Sequence, residues 1–108
     1  MDGAESYPPF LFHMPCYCYI VECADGTYYT GWTTDPERRV ATHNKGLGAK
    51  YTKMRLPVKL VYVEEQPDRK SAMKREIVIK KMGRAGKIKL AGRVNMETSR
   101  QVHSKKRQ

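Results

Sequence analysis

The sequence has no apolar run long enough to cross a membrane. Its longest nearly apolar stretch, residues 10–21, has twelve residues and is interrupted by His13 and Pro15, whereas a membrane-spanning helix needs roughly twenty. There is no Lys or Arg before Arg38, although a secretory signal begins with positive charge. We therefore expect a cytoplasmic protein with no membrane partner.

Cysteine is scarce and badly spaced for a disulfide framework. The three cysteines, Cys16, Cys18 and Cys23, lie within eight residues, so none has a distant partner and reduced thiols are expected. A zinc site made from these thiols and His13 is an alternative, but Cys16 and Cys18 would share one strand face and Cys23 the other. The favoured interpretation is that the thiols are small apolar core groups.

Acidic residues are about half as frequent as basic ones. The 108 residues contain 21 Lys and Arg against 11 Asp and Glu, a formal charge of +10, and the length allows a single domain. The charge is −2 over residues 1–15, +8 over 16–91 and +4 over 92–108. A positive charge of this size attracts polyanions, so nucleic acid is the leading candidate partner. An anionic membrane or an acidic protein would be attracted in the same way.

Two runs rich in aromatic and β-branched residues, 16–23 and 27–33, predict a β-hairpin. A two-residue turn at Asp25-Gly26 would put Tyr19 and Tyr29 on opposite faces. A three-residue loop with Gly26 in the left-handed conformation instead pairs Cys23 with Thr27, and this loop is the better interpretation. It puts four residues on one face of the hairpin: Tyr19, Val21, Tyr29 and Gly31.

The remaining elements follow from caps, glycines and periodicity. Asp35 and Pro36 open a helix that runs to about residue 45, and residues 49–52 form at most a turn or two. Residues 59–64 predict a third strand, central in its sheet because it is apolar over 60–63. Asp68 caps a helix over 69–81, and a short helical turn is expected at 87–90.

The fold class is therefore α/β, an α+β sandwich of order β-β-α-β-α with helices packed on three strands. We interpret residues 1–15 as a flexible leader, 16–91 as the domain and 92–108 as a basic, disordered tail.

Tyr19, Tyr29, Arg39 and His43 are the first candidate functional residues. Two phenols on one hairpin face could position water or a phosphate oxygen, although ordinary core packing is the simpler interpretation. Arg39 and His43 are four residues apart and share one side of a helix. An arginine fork suits phosphate and histidine titrates near neutrality, although a solvated basic face would look the same.

Glu76 is the most informative acidic residue. On a helical wheel it lies within about 60° of Ala72, Met73, Ile79 and Lys80, amid the predicted buried stripe rather than opposite it. A carboxylate there needs a partner, which could be Lys80 at i+4 or a hard divalent cation such as Mg²⁺.

In this order and spacing, several of these residues resemble the GIY-YIG nuclease superfamily, and its small stand-alone bacterial members in particular. The motifs that carry the resemblance over residues 16–91 are Tyr17-Cys18-Tyr19, Tyr29-Thr30-Gly31, Arg39, His43-Asn44-Lys45-Gly46 and Glu76. The first motif has Tyr17 and Cys18 where the family has Gly and Ile. Trp32 stands where excision-repair members have a lysine, and it could pack or stack on a base.

The resemblance implies a divalent-metal-dependent endonuclease on a central three-stranded antiparallel sheet flanked by helices, acting on DNA with structure selectivity or weak sequence specificity. It implies that Glu76 binds Mg²⁺ or Mn²⁺, that Arg39 steadies phosphate charge, and that Tyr19, Tyr29 and His43 complete the catalytic set. No organic cofactor is expected. A non-catalytic nucleic-acid-binding module on the same fold is the alternative. The residues expected to contact nucleic acid are Trp32, Arg38, Lys45, Lys50 and Lys53.

Overall fold

The computed structural model describes residues 15–92, which form three antiparallel strands with helices on both faces of the sheet. This confirms the predicted fold class. In chain order the elements are β1 (Cys16–Glu22), β2 (Tyr28–Thr33), α1 (Pro36–Asn44), α2 (Lys50–Lys53), β3 (Lys59–Gln66) and α3 (Arg69–Lys80), followed by helix α4 over residues 83–92. Within residues 15–92 no helix is long and apolar enough to span a membrane.

The β1–β2 hairpin has the predicted three-residue loop. The Cys23 amide donates to the Thr27 carbonyl at 2.8 Å, and Gly26 has a φ of +85°. In this register Tyr19 faces Gly31 across the strands. Val21 faces Tyr29 two residues further along. Because side chains alternate along a strand, Tyr19 and Tyr29 lie on the same face of the sheet, as predicted.

The prediction that β3 is the central strand is wrong. The strand order is β2-β1-β3, so β1 is central and β3 is an edge. Its apolar run has a different cause: β3 contributes to hydrophobic clusters on both faces of the sheet. A register shift opposite Ile20 and Val21 lets Leu60 pack on one face while Tyr62 packs on the other.

Each face of the sheet has its own core. Cys18 and Ile20 pack against Ala72 and Ile79 of α3 on one side, which we call the α3 face. Tyr19, Val21, Cys23 and Val58 pack on the other side, which α1 and α2 cover and which we call the α1 face. Cys16 and Cys18 belong to the first cluster and Cys23 to the second, so the predicted division of the cysteines is confirmed.

The helix caps are those that the sequence predicts. The Asp35 carboxylate accepts the Arg38 amide at 3.1 Å, and the Asp68 carboxylate accepts the Ser71 amide at 2.8 Å. Asn44, at the end of α1, is tied to Val58 by two hydrogen bonds of 2.7 and 3.0 Å. These bonds fasten the end of α1 to the segment that leads into β3.

The chain after α3 is more helical than expected. In place of a turn at residues 87–90 there is a helix over 83–92, and it buries Ala91 and half-buries Leu90 against the α3 face. Gly83 has a φ of +73°, which ends α3 and turns the chain into the next helix within a residue or two. Gly92 is still helical. The rest of the predicted tail and the predicted leader, apart from Pro15, lie outside the described residues.

Candidate functional site

A buried hydrogen bond between Tyr19 and His43 forms the centre of the site. The Tyr19 hydroxyl lies 2.8 Å from Nε2 of His43. Tyr19 comes from the central strand and His43 from the last turn of α1, and their exposed fractions are 2% and 1%. The sequence predicted both residues as candidates, in two separate groups. The structure joins the two groups through one contact.

Thr52 forms a second hydrogen bond with His43, on the side of the imidazole opposite Tyr19. Nδ1 of His43 lies 2.9 Å from the Thr52 hydroxyl, which in turn donates to the Ala49 carbonyl at 3.0 Å. Thr52 is fully buried in the one-turn helix α2. Sequence reasoning missed it, and no local signal marks it, because its importance comes from a partner nine residues away.

Two glycines allow this arrangement. A Cβ on Gly31 would lie 2.6 Å from the Tyr19 hydroxyl oxygen, and a Cβ on Gly48 would overlap the His43 ring. Any larger residue would therefore displace one member of the pair. Gly31 belongs to the motif that carries the family resemblance, whereas Gly48 gives no sign of this role in the sequence.

Tyr29 lies beside His43 and is held on both sides. Its ring meets the imidazole edge-on with centroids 5.5 Å apart, and its other neighbour, Tyr51, stacks on it at 6.0 Å. The Arg55 guanidinium covers the Tyr51 ring at 3.8 Å and pairs with Asp25 in the hairpin loop at 3.1 Å. The sequence predicted Tyr29 but missed Tyr51 and Arg55, which fix its orientation.

Burial and nearby charges shift the pKa values of both Tyr19 and His43. Burial, assisted by the positive charge of Arg39, lowers the pKa of His43 below its ordinary value of 6.5. Burial is also the main reason that the pKa of Tyr19 is raised. Tyr29 and Glu76 add to that rise, and Arg39 opposes it. At neutral pH the pair is therefore a neutral imidazole hydrogen-bonded to a neutral phenol.

Arg39 itself is exposed on α1, one turn before His43. It is free to meet a bound anion while its charge acts on the buried pair. A tyrosine with an unperturbed pKa of about 10 is a poor base at neutral pH, so a metal or Arg39 would have to lower the pKa of a catalytic phenol. Burial outweighs Arg39 in this structure, so the phenol cannot act as a base through Arg39 alone.

Glu76 lies on the opposite helix layer, on α3, and its side chain is 19% exposed. Ala72 and Ile79 are buried as the wheel predicted, but Met73 is 46% exposed and the Lys80 side chain 50%, so Glu76 borders the buried stripe. The i+4 pairing with Lys80 is present, with Nζ and Oε2 3.5 Å apart. The carboxylate is still close enough to raise the pKa of Tyr19.

A second carboxylate near α3, Glu64, is already committed. It accepts two hydrogen bonds from Arg75, at 2.6 and 3.2 Å, one from Gln66 at 2.8 Å, and a short one from the Tyr62 hydroxyl. Burial opposes ionisation, but these bonds prevail and lower the pKa of Glu64 below its ordinary value. Within residues 15–92, Glu76 is therefore the α3 carboxylate that pairs with nothing but a flexible lysine.

The donor set fits a hard divalent cation bound by one protein oxygen. Within residues 15–92 no three His, Cys, Asp or Glu side chains cluster as a metal site would. Mg²⁺ is commonly held by one or two carboxylates, with waters and substrate phosphate completing its shell. Glu76 fits that pattern. His13 of the zinc alternative lies outside the described residues.

Basic residues surround His43 and Thr52 along the chain. From residue 38 to residue 63 the sequence has seven Lys and Arg and no Asp or Glu, a signal that could have been found without the structure. Four of these residues were predicted to contact nucleic acid, and all four are exposed: Arg38, Lys45, Lys50 and Lys53. Trp32 is partly buried on the α3 face, away from the tyrosine pair. Its contact with a base stays a prediction.

The chain is similar to known proteins over most of its length. The model of the GIY-YIG catalytic domain matches residues 15–89. A UPF0213 protein of Streptococcus agalactiae is 50% identical over 78 residues, which cover 72% of this chain and 89% of the relative. One from Halobacterium salinarum is 56% identical over 69 residues, 64% of this chain and 90% of that one. A solution NMR structure of an E. faecalis protein, 38% identical, covers 76% of this chain and 88% of its own with a TM-score of 0.52.

The Tyr19 and Tyr29 motifs lie on the three-stranded sheet and Glu76 lies on α3. Together with these matches they show that the chain belongs to the GIY-YIG nuclease family, beside the small UPF0213 proteins.

Proposed function

We propose that the protein is a divalent-metal-dependent endonuclease that hydrolyses DNA phosphodiester bonds, with structure selectivity or weak sequence specificity. The observation that carries the proposal is the buried hydrogen bond between Tyr19 and His43, within electrostatic reach of Arg39 and Glu76. The proposed catalytic residues are Tyr19, Tyr29, Arg39, His43 and Glu76.

Hydrolysis requires the attacking water to lose a proton as its oxygen bonds to phosphorus. Tyr19 alone is a poor proton acceptor, because burial raises its pKa and keeps the phenol protonated at neutral pH. His43 is neutral and its Nε2 lies 2.8 Å from the Tyr19 oxygen. Tyr19 can therefore pass its proton to His43 while its oxygen takes the proton of the water, so that no free phenolate has to form.

Tyr29 and Arg39 complete the protein's part. Tyr29 is partly exposed, whereas Tyr19 is 2% exposed, so Tyr29 is better able to orient water or a phosphate oxygen beside His43. The exposed Arg39 guanidinium can bind two phosphate oxygens and stabilise the charge that develops on phosphorus.

Glu76 would hold the cation. When bound, Mg²⁺ or Mn²⁺ supplies charge stabilisation to the phosphoryl oxygens and the leaving oxygen. Lys80 lies 3.5 Å from the carboxylate and would compete with the cation for it, but the lysine side chain is 50% exposed and can turn into solvent.

The exposed Arg38, Lys45, Lys50 and Lys53 would bind the DNA backbone. A single module of this size that binds mainly phosphates has little base readout, which supports structure selectivity over sequence selectivity.

A nucleic-acid-binding module without cleavage is the second candidate. The pairing of Glu76 with Lys80 favours it, because this contact gives the carboxylate a partner without any metal. The same fold and basic surface would then serve binding alone.

Cleavage of labelled single-stranded, duplex, flap and branched DNA, and of RNA, with Mg²⁺ or Mn²⁺ separates the two candidates. We expect the wild type to cut DNA, and Glu76→Gln and Arg39→Ala to lose cleavage while still binding. Glu65→Gln, which changes an exposed carboxylate on β3, is the matched control and should cut normally. Tight binding with no cleavage of any substrate would favour the binding module.

A further inference from the structure

The protonation of His43 can be read from its hydrogen bonds. The Thr52 hydroxyl has one proton, and it donates that proton to the Ala49 carbonyl at 3.0 Å. The same oxygen lies 2.9 Å from Nδ1 of His43, so toward the imidazole it can only accept. With the hydroxyl directed at Ala49, Nδ1 carries the ring proton, which leaves Nε2 as the acceptor for the Tyr19 hydroxyl.

The opposite tautomer does not satisfy the same groups. With the proton on Nε2, the ring would donate to Tyr19, and the Tyr19 proton would need another acceptor. Among residues 15–92 the structure gives this hydroxyl no hydrogen-bond partner except His43. A buried donor without an acceptor costs free energy, so the tautomer with the proton on Nδ1 is preferred.

We propose that Thr52 is a positioning residue that keeps the ring proton of His43 on Nδ1, so that Nε2 stays free to take the Tyr19 proton. The proposal rests on the proposed function and adds to it the residue that decides which nitrogen does the chemistry. Thr52 does not touch the reacting atoms. It acts through His43, in the way that a second hydrogen bond fixes the tautomer of other functional histidines.

The backbone around Thr52 supports this role. The Ala49 carbonyl, which fixes the direction of the hydroxyl, also accepts the Lys53 amide at 3.0 Å and so begins α2. Gly48 brings the chain against the His43 ring, where a side chain would collide with it. The α1–α2 connection is thus shaped to bring one hydroxyl to one ring nitrogen.

The test uses the ¹⁵N chemical shifts of the His43 ring in labelled full-length protein without DNA, assigned by their loss in His43→Gln. Wild type should show a protonated Nδ1 and an unprotonated Nε2. Thr52→Val, which keeps the shape and removes the hydroxyl, should shift the proton to Nε2 in part or wholly. It should also lower kcat by about 10- to 100-fold with an unchanged Kd for DNA. Thr52→Ser should restore both.

Thr30→Val is the matched control. Thr30 is 1% exposed, and its hydroxyl has no hydrogen-bond partner among the described residues, so the variant should change neither the tautomer nor kcat. A wild-type ring protonated on Nε2 would overturn the proposal, and this measurement stands even if Thr52→Val does not fold. So would a folded Thr52→Val that keeps both the tautomer and kcat. If wild type cuts nothing, the proposed function fails, but the ring tautomer still decides the role of Thr52.

Discussion

Gly31→Ala should destabilise the protein by displacing Tyr19 from His43. The added Cβ would lie 2.6 Å from the Tyr19 oxygen and 2.7 Å from the ring carbon that bears it, well inside van der Waals contact. Gly31 and Tyr19 face each other on neighbouring strands, with Tyr19 in the central one. The ring has to move, and the backbone cannot withdraw without breaking the strand pairing.

The magnitude follows from two contributions. Overpacking of a dense core costs about 1–3 kcal/mol, and losing the hydrogen bond to His43 costs about 1 kcal/mol more. We therefore expect the free energy of unfolding to fall by about 2–4 kcal/mol, against a typical total of about 5–15 kcal/mol.

Urea denaturation measures this loss as a lower midpoint at unchanged slope. Gly92→Ala is the control: Gly92 is exposed, helical and has no described atom within 4 Å of an added Cβ, so alanine should be neutral or slightly stabilising. A double-mutant cycle tests the contact, because Tyr19→Phe removes both the hydrogen bond and the oxygen that the new Cβ would strike. Tyr19→Phe should therefore cost at least about 1 kcal/mol less in the Gly31→Ala background than in wild type. Equal midpoints for Gly31→Ala and Gly92→Ala would refute the close-packing argument.

Two further predictions follow from the same geometry. Because the pKa of His43 is lowered in the folded state, the unfolded chain binds more protons just below its ordinary pKa of 6.5. Stability should therefore be constant above about pH 6.5 and fall as the pH drops from there, and His43→Gln should remove this fall; urea midpoints between pH 5 and 8 measure it, and an unchanged pH slope in His43→Gln would contradict it. The lowered pKa values of Asp25, Glu64 and Asp68 act below about pH 4.5 and do not overlap that range. For DNA binding, Lys50→Ala should reduce the slope of log K against log salt concentration by about 0.9 if Lys50 contacts one phosphate. Lys74→Ala, an exposed change on α3, should leave the slope unaltered, and equal slopes for the two variants would remove Lys50 from the interface.

Parts of the fold that depend on neighbours in the chain could be predicted. The three-residue hairpin loop depends on Gly26 at its left-handed position, and the loop length then fixes which side chains share a face. Asp35 and Asp68 accept amides three residues ahead, within their own helix starts. The prediction that β3 is central failed for a physical reason. A strand that is apolar on both faces is buried on both faces, but an edge strand is buried in the same way when both helix layers extend over it.

The candidate site was predictable as residue types but not as an arrangement. The order and spacing of Tyr19, Tyr29, Arg39, His43 and Glu76 resemble the family's motifs, and this resemblance is what named them together. Their side chains also suit phosphodiester chemistry. The roles of Thr52 and Gly48 beside His43 could not be predicted, because a threonine within a one-turn helix and a glycine after a helix are both common. Neither residue has a distinguishing periodicity. The requirement that a metal or Arg39 lower the pKa of a catalytic tyrosine takes account of charge but not of burial, which dominates the pKa of Tyr19.

The sequence by itself determined the hairpin register, the helix starts, the basic charge and the chemical groups available, since each depends on local spacing or on composition. Only the tertiary structure decided that β1 is central and that the Tyr19 hydroxyl meets His43 rather than solvent. It alone showed that Thr52 holds the other side of the imidazole. It also showed that Glu64 is already bound by Arg75, whereas Glu76 pairs with Lys80 alone among residues 15–92. The physical reason is that these contacts join segments far apart in the chain, and their geometry is set by how two helix layers pack on one sheet.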